Sequence, residues 1–111
     1  MKLPLEIVAR TLPLGETLEE EIRERASRLE HFYDRIMRCR VTVEGNLRRR
    51  HGGLWSARID LKVPGAEIVV NHQQSLDPAV AVREAFAAAG RRLEDHVRRL
   101  RGFVKTHADV G

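Results

Sequence analysis

The chain has 111 residues, the length of one domain, and 42% of them are hydrophobic, which is enough for a core of its own. Its 20 Lys and Arg exceed its 16 Asp and Glu, and the resulting net charge of +4 draws a protein to polyanions without identifying one. No stretch approaches the ~20 apolar residues of a membrane span, no signal peptide is recognisable, and the single Cys39 cannot form an intramolecular disulfide, so we expect a soluble, cytoplasmic protein.

The N-terminal part predicts a strand followed by a helix. Apolar and polar residues alternate over 3–10, which is typical of a strand. After a connector, a helix is predicted from Glu16, because apolar residues recur every three or four positions. That stripe consists of Leu18, Ile22, Ala26, Leu29, Tyr33 and Ile36. Six acids and three arginines lie between Glu16 and His31, with the acids crowding the first turns as the helix dipole favours.

Two alternating runs then predict antiparallel strands with one wet face. The apolar positions of the first run are Cys39, Val41, Val43 and Leu47. Those of the second run are Trp55, Ala57, Ile59, Leu61 and Val63. Pro64-Gly65 predicts a turn, and 66–72 predicts a fourth strand. Cys39 falls on the apolar side, so we expect a small buried hydrophobe rather than a reactive thiol.

A long helix is predicted over 78–105, with Asp77 as its cap and Pro78 in its first turn. Its apolar stripe consists of Val82, Phe86, Ala89, Leu93, Val97, Leu100 and Val104. Gly90 interrupts it at a cost of about 1 kcal/mol relative to Ala. Residues 106–111 are expected to form a flexible tail. The order β-α-β-β-β-α predicts one α+β domain over 1–105, a two-layer sandwich in which a four-stranded sheet carries both helices on one face.

Basic residues on the last helix are the strongest functional signal. Six of them lie between residues 91 and 105, opposed by Glu94 and Asp95 alone. On a helical wheel one flank carries Arg83, Arg91, Arg98, Arg101 and Lys105, and the other carries Arg92 and Arg99. Such flanks suit a groove of phosphates, whereas the alternative is a solvated helix whose basic end is favoured by the dipole.

The segment Arg48-Arg49-Arg50-His51-Gly52-Gly53 joins the two alternating runs. The glycine pair permits a hairpin turn, so the three arginines would project from its tip. The tip is either a probe for phosphate or an ordinary charged turn, and both interpretations stay open.

Catalysis finds little support in the sequence. The five histidines show no metal-ligand spacing, and no nucleotide-binding or nucleophile motif is present, so we expect no enzyme, no cofactor, no metal and no small-molecule substrate. Most aromatic residues fall on the predicted apolar stripes, which argues against a stacking surface for single strands. The chain is expected to recognise the shape and the phosphates of its ligand, as binders of double-stranded RNA do.

At this point the sequence resembles a known family. The element order resembles the ribosome hibernation-promoting factor and ribosome-associated inhibitor A family, formerly called sigma-54 modulation proteins. Residues 12–44 are similar to that family's first helix and second strand, including Leu29-Glu30-His31-Phe32-Tyr33. Residues 77–107 resemble its last helix, which follows an Asp and has a basic second half.

The resemblance implies a protein that binds the small ribosomal subunit in the mRNA and tRNA channel, largely through 16S-type rRNA, and blocks translation under stress. It implies RNA contacts by Arg91, Arg92, Arg98, Arg99 and Arg101 on the last helix, and by Arg28 and Arg35 near the end of the first. Family members often carry a Lys-rich stretch where this chain has Asp95-His96-Val97. We expect a short form that is monomeric off the ribosome. The alternatives are a regulator of another structured RNA or of an acidic protein, and an enzyme with an unrecognised site.

Overall fold

The computed structural model describes residues 2–10, 13–45 and 54–110. Its elements are β1 (Leu5–Ala9), α1 (Glu16–Phe32), β2 (Arg38–Gly45), β3 (Trp55–Val63), β4 (Ala66–Ser75) and α2 (Pro78–Val110). The predicted order and the α+β class are confirmed. Strand β4 runs three residues past its predicted end, and α2 runs to Val110 rather than 105. The flexible tail expected over 106–111 stays a prediction.

The four strands form one sheet in the order β1-β2-β3-β4. Strands β1 and β2 pair in parallel, and the next two pairings are antiparallel. A parallel pair needs a crossover, and α1 supplies it. The turn into β4 is made at Pro64-Gly65, as predicted, with Gly65 at φ 80, a backbone conformation that glycine adopts at little cost.

One face of the sheet forms the floor of the core. Cys39, Val41 and Val43 on β2 are buried, as predicted, and so are the apolar positions of β3 from Ala57 onward. Both helices cover this face. The opposite face carries exposed charged side chains, which confirms the alternation predicted from the sequence.

The apolar stripe of α2 is buried only along part of the helix. Asp77 caps it, because its carboxylate accepts a hydrogen bond of 2.9 Å from the backbone N–H of Ala79. Burial then continues along the predicted stripe through Val97. Leu100 was predicted to join the core, and this is wrong, since the side chain is 46% exposed. The reason is the length of the sheet: Arg99 already lies beside Ala66, the first residue of β4, so the next turn of α2 passes beyond it.

The two helices lie side by side and run in the same direction. Strand β4 is parallel to β1 and β2, since two antiparallel pairings separate β4 from β2. Helix α1 returns from β1, and α2 returns from β4, so the helices are parallel. They approach at Gly90, where an added Cβ would lie 3.8 Å from Cδ2 of Leu29. We call this contact line the helix seam.

Cys39 is fully buried on β2, as its position in the alternation predicted. Burial raises the pKa of its thiol from 9.0 to about 12, and the charge of Asp60 adds to the shift. The thiol therefore stays protonated and unreactive in the folded protein at neutral pH.

Gly90→Ala is expected to stabilise the protein by about 0.5–1 kcal/mol, because alanine restricts the unfolded chain and favours the helix. The new methyl group would meet Leu29 at ordinary van der Waals distance. Urea unfolding followed by circular dichroism measures the change. Gly45→Ala supplies the contrast, because its Cβ would come within 2.9 Å of the Trp55 ring, so it should destabilise by about 1–3 kcal/mol. A lower unfolding midpoint for Gly90→Ala would show that the helix seam has no room for a methyl group.

Cys39 should make stability fall at alkaline pH. Its folded-state pKa lies above the ordinary thiol value, so its contribution is complete below pH about 9 and is lost as the pH rises toward 12. The loss should reach about 1 kcal/mol near pH 10, measured as the free energy of unfolding in urea. Cys39→Ala is the control, and its stability should fall less over the same range. Parallel pH profiles for both proteins would contradict the assignment.

Candidate nucleic-acid interface

The charged face of the sheet is close to electrically balanced. Arg40 pairs with Glu6 at 3.3 Å, and Lys62 pairs with Glu67 at 3.6 Å. Arg58 donates to Asp60 at 3.1 Å, and this hydrogen bond raises the pKa of the guanidinium. A polar depression in this face is lined by Arg10, Arg40, Thr42, Glu44, Ser56, Ala57, Arg58 and Asp60. Four acids thus accompany five cations on this face, since Arg10 and Arg38 have no ion pair among the described residues, and the face presents only a small excess of positive charge to a polyanion.

Helix α1 neutralises its own arginines. Each of them follows an acid by four residues, the spacing at which side chains meet on a helix. The pairs are Glu19–Arg23 at 3.8 Å, Glu21–Arg25 at 3.0 Å and Glu24–Arg28 at 2.6 Å. Arg28, a predicted RNA contact, is therefore exposed but already occupied by Glu24.

Helix α2 presents its arginines differently. Arg91, Arg98 and Arg101 are exposed, and their spacing places them on the flank that continues from the helix seam. Arg98 pairs with Glu94 one turn earlier. Within the part of the chain that the structure describes, Arg91 and Arg101 have no carboxylate within ion-pair distance. This flank therefore holds uncompensated positive charge over about three turns of helix.

The second predicted flank of α2 faces the edge of the sheet. Arg92 and Arg99 line a groove with Asp95, His96 and the backbone of 66–69 in β4. Arg92 donates a hydrogen bond to the carbonyl oxygen of Val69, so it ties the helix to the strand. Asp95 and Glu67 share the groove, which lowers its net charge. Nε2 of His96 is buried here without a hydrogen-bond partner.

The remaining predicted residues lie apart from this cluster. Arg83 is exposed near the start of α2, about 27 Å along the helix from Arg101 at 1.5 Å per residue. Arg35 is exposed in the connection from α1 to β2, at the end of the sheet that α2 passes. Arg48, Arg49 and Arg50 lie outside the described residues, and so does the side chain of Lys105. The residues that flank the 46–53 segment, Gly45 and Leu54, lie at the opposite end of the sheet.

Phe32 was named from the sequence only within the segment Leu29 to Tyr33 that carries the family resemblance, and no binding role was predicted for it. The ring is 49% exposed at the last turn of α1, whereas the residues of the α1 stripe from Leu18 to Leu29 are buried. A signal was available: Phe32 follows Leu29 by three residues but does not belong to the stripe, which continues at Tyr33. Met37, 53% exposed, lies close by in the chain at the same end of the sheet.

Among the described residues, no group of three His, Cys, Asp or Glu side chains is placed to hold a metal ion. Over the same residues, neither helix has an apolar stretch long enough to cross a bilayer.

Glu94→Gln should strengthen binding to polyanions, because it releases Arg98 from its ion pair and removes a negative charge beside it. The salt concentration that elutes the protein from immobilised heparin measures the effect. Glu24→Gln is the matched control, since it makes the same charge change on α1 and releases Arg28. We expect a larger shift for Glu94→Gln. Equal shifts would mean that heparin senses net charge alone, without preference for α2.

Comparison with known proteins supplies the family context for this surface. The family model described as sigma 54 modulation protein / S30EA ribosomal protein matches residues 5–101. No curated protein matches the sequence.

Two solved structures are similar in fold. A ribosomal subunit interface protein from Coxiella burnetii superposes with a TM-score of 0.73 at 14% identity, over 86% of this chain and 99% of the other. The N-terminal domain of Protein Y from Thermus thermophilus gives a TM-score of 0.70 at 15% identity, over 86% and 99% of the respective chains. At these identities the likeness concerns the fold, and it agrees with the predicted two-layer architecture.

Proposed function

The chain belongs to the sigma 54 modulation protein / S30EA ribosomal protein family, and from this premise we propose that it binds the small ribosomal subunit and blocks translation under stress. The proposed site is the channel that mRNA and tRNA otherwise occupy, and the proposed partner is 16S-type rRNA. No chemical step is involved. A ribosome partner places this activity in the cytoplasm.

The observation that carries the proposal is the uneven pairing of charge. Ion pairs hold all three arginines of α1 and three of the five cations of the open sheet face. Arg91 and Arg101 on α2 have no such partner among the described residues. Guanidinium groups bind phosphate through two parallel hydrogen bonds, so unpaired arginines on a rigid helix suit an RNA backbone.

The mechanism we propose is occlusion. A folded domain seated in the channel excludes mRNA and tRNA by volume, and the arginines fix its position through phosphates rather than base edges. Helix α2 is packed through Val97 against the sheet and beside α1, and Arg98 and Arg101 directly follow this packed part. Affinity built on phosphates should fall steeply with salt.

The predicted residues differ in their proposed weight. Arg91 and Arg101 form the central contact, with Arg35 at the same end of the molecule, and Arg98 joins it only when it exchanges Glu94 for a phosphate. Arg99 contributes to RNA binding from the second flank. Arg92 contributes mainly to the packing of α2 on the sheet, through its hydrogen bond to the carbonyl oxygen of Val69. Arg28 contributes less because Glu24 holds it, and Arg83 lies far along the helix. Arg48, Arg49, Arg50 and Lys105 remain predicted contacts.

Replacing Arg91 and Arg101 with Gln should weaken binding to purified small subunits and lower the slope of log affinity against log salt by about two. Co-sedimentation over a series of salt concentrations measures both quantities. Arg23→Gln with Arg28→Gln is the matched control, because it removes two exposed positive charges from α1. That control should keep most of the slope.

The outcomes separate the competing functions. Wild type that fails to sediment with small subunits even at low salt would overturn the ribosome assignment and favour another structured RNA or an acidic protein. Binding that both double variants weaken equally would retain the ribosome but reject α2 as the contact surface. Inhibition of cell-free translation should follow the same order, with the α2 variant the weaker inhibitor.

A further inference from the structure

An exposed aromatic ring lies beside the basic surface of α2. Phe32 is 49% exposed, and Met37 at the same end of the sheet is 53% exposed. It closes α1 and is followed directly by the connection to β2. The side chains around the Phe32 ring therefore determine which ligand it can bind.

Phe32 faces α2 rather than the outer edge of the sheet. Glu19 and Arg23 of α1 line a depression with Leu3, Leu5 and Ile7, so that side of the helix faces β1. Glu21 and Arg25 lie on the opposite side, where their side chains are 34% and 22% exposed. Phe32 follows Arg25 by seven residues, two helical turns, so it continues the line of Glu21 and Arg25.

The level of Phe32 along α2 follows from the helix seam. Leu29 lies opposite Gly90, and the helices are parallel, so Phe32 lies opposite residues 93–94. Side chains on a helix lean toward its N-terminus. The ion pair with Glu94 shows this for Arg98, whose guanidinium therefore lies at the level of Phe32. The side chain of Arg101 leans in the same direction, so its guanidinium lies on the same flank about one turn after that of Arg98.

The half-exposed ring thus stands at the level of the Glu94–Arg98 pair, on the side of α1 that faces α2. An apolar peptide would bury Phe32 but would also desolvate the neighbouring arginines without pairing them, which is costly. A nucleotide satisfies both groups, because its base has an apolar face and its phosphate accepts from arginine. Stacking of this kind tolerates any base sequence.

We propose that Phe32 is a stacking surface for an unpaired RNA base, whose flanking phosphates are held by Arg98 and Arg101. The proposal deepens the ribosome-binding function and rests on it for its natural partner. It adds a single-stranded component to a surface that the sequence predicted to recognise shape and phosphate alone. The base would lie over the end of α1, beside the part of α2 that continues past it.

Phe32→Ala should weaken binding to purified small subunits by about 5-fold to 100-fold, the range expected for one stacked base. The salt dependence of affinity should stay unchanged, because no charge is removed. The arginine variants, by contrast, should lower both the affinity and the slope of log affinity against log salt. Leu76→Ala is the matched control, since Leu76 is 73% exposed at the other end of the sheet and should leave affinity intact.

Direct evidence for stacking comes from fluorescence. In a Phe32→Trp, Trp55→Phe protein the only indole stands at the proposed site, since Trp55 is the sole tryptophan. Oligoadenylate RNA should quench it, and small subunits should quench it too. Phe32→Tyr should retain affinity, whereas Phe32→Leu should lose it, because leucine is apolar but has no aromatic face. Unchanged far-UV circular dichroism verifies that each variant is folded.

Three results would overturn the inference. Full affinity of folded Phe32→Ala would exclude a role for the ring, even if wild type binds the ribosome. Full affinity of Phe32→Leu without quenching would assign the ring to an apolar protein contact. Absence of quenching by oligoadenylate together with failure of wild type to bind small subunits would reject both the stacking surface and the proposed function.

Discussion

Strand direction is the constraint on which the rest of this structure depends. Because β1, β2 and β4 all run the same way, the two helices that return from β1 and β4 must be parallel to each other. The sheet buries one face only, so both helices must share that face. Their seam at Leu29 and Gly90 then fixes which turns of α1 and α2 stand side by side. The relation between Phe32 and Arg98 follows from this arrangement.

Charge on the surface is organised by local pairing more than by net composition. An acid four residues ahead of each of its three arginines compensates the positive charge of α1 within the helix itself. Exposed pairs of this kind contribute little to stability. Their effect here is to keep α1 from competing with α2 for a polyanion. As a result, a chain with a net charge of only +4 still has one surface with uncompensated positive charge.

Much of the fold could be predicted because alternation and helical spacing report burial directly. Cys39, Val41 and Val43 occupy the core as their period of two required. Leu100 could not be placed this way, since its spacing on α2 is correct but the sheet ends before it. The spacing of apolar residues indicates a helix and its apolar side. It does not indicate how far the neighbouring strand extends beneath that helix, because this depends on tertiary structure.

The candidate site was predictable in composition and less so in arrangement. The sequence placed arginines on two flanks of α2, and the structure keeps those flanks apart. It could not indicate that Arg92 donates to the Val69 carbonyl, because that contact joins residues 23 positions apart. Phe32 was missed for a related reason: its exposure depends on where α1 stops relative to α2, which is a matter of tertiary structure.

The bond from Arg92 to Val69 also has a consequence for how copies of the protein meet. Strand β4 is at one edge of the sheet, and unpaired backbone groups on an edge invite another strand to dock. Arg92 occupies one carbonyl there, and α2 stands over the neighbouring backbone of 66–69. At the other edge, β1 is only five residues long and follows Pro4. Each edge therefore offers fewer free backbone groups for pairing with another copy, so an arginine predicted to contact RNA also occupies a backbone acceptor at the edge of the sheet.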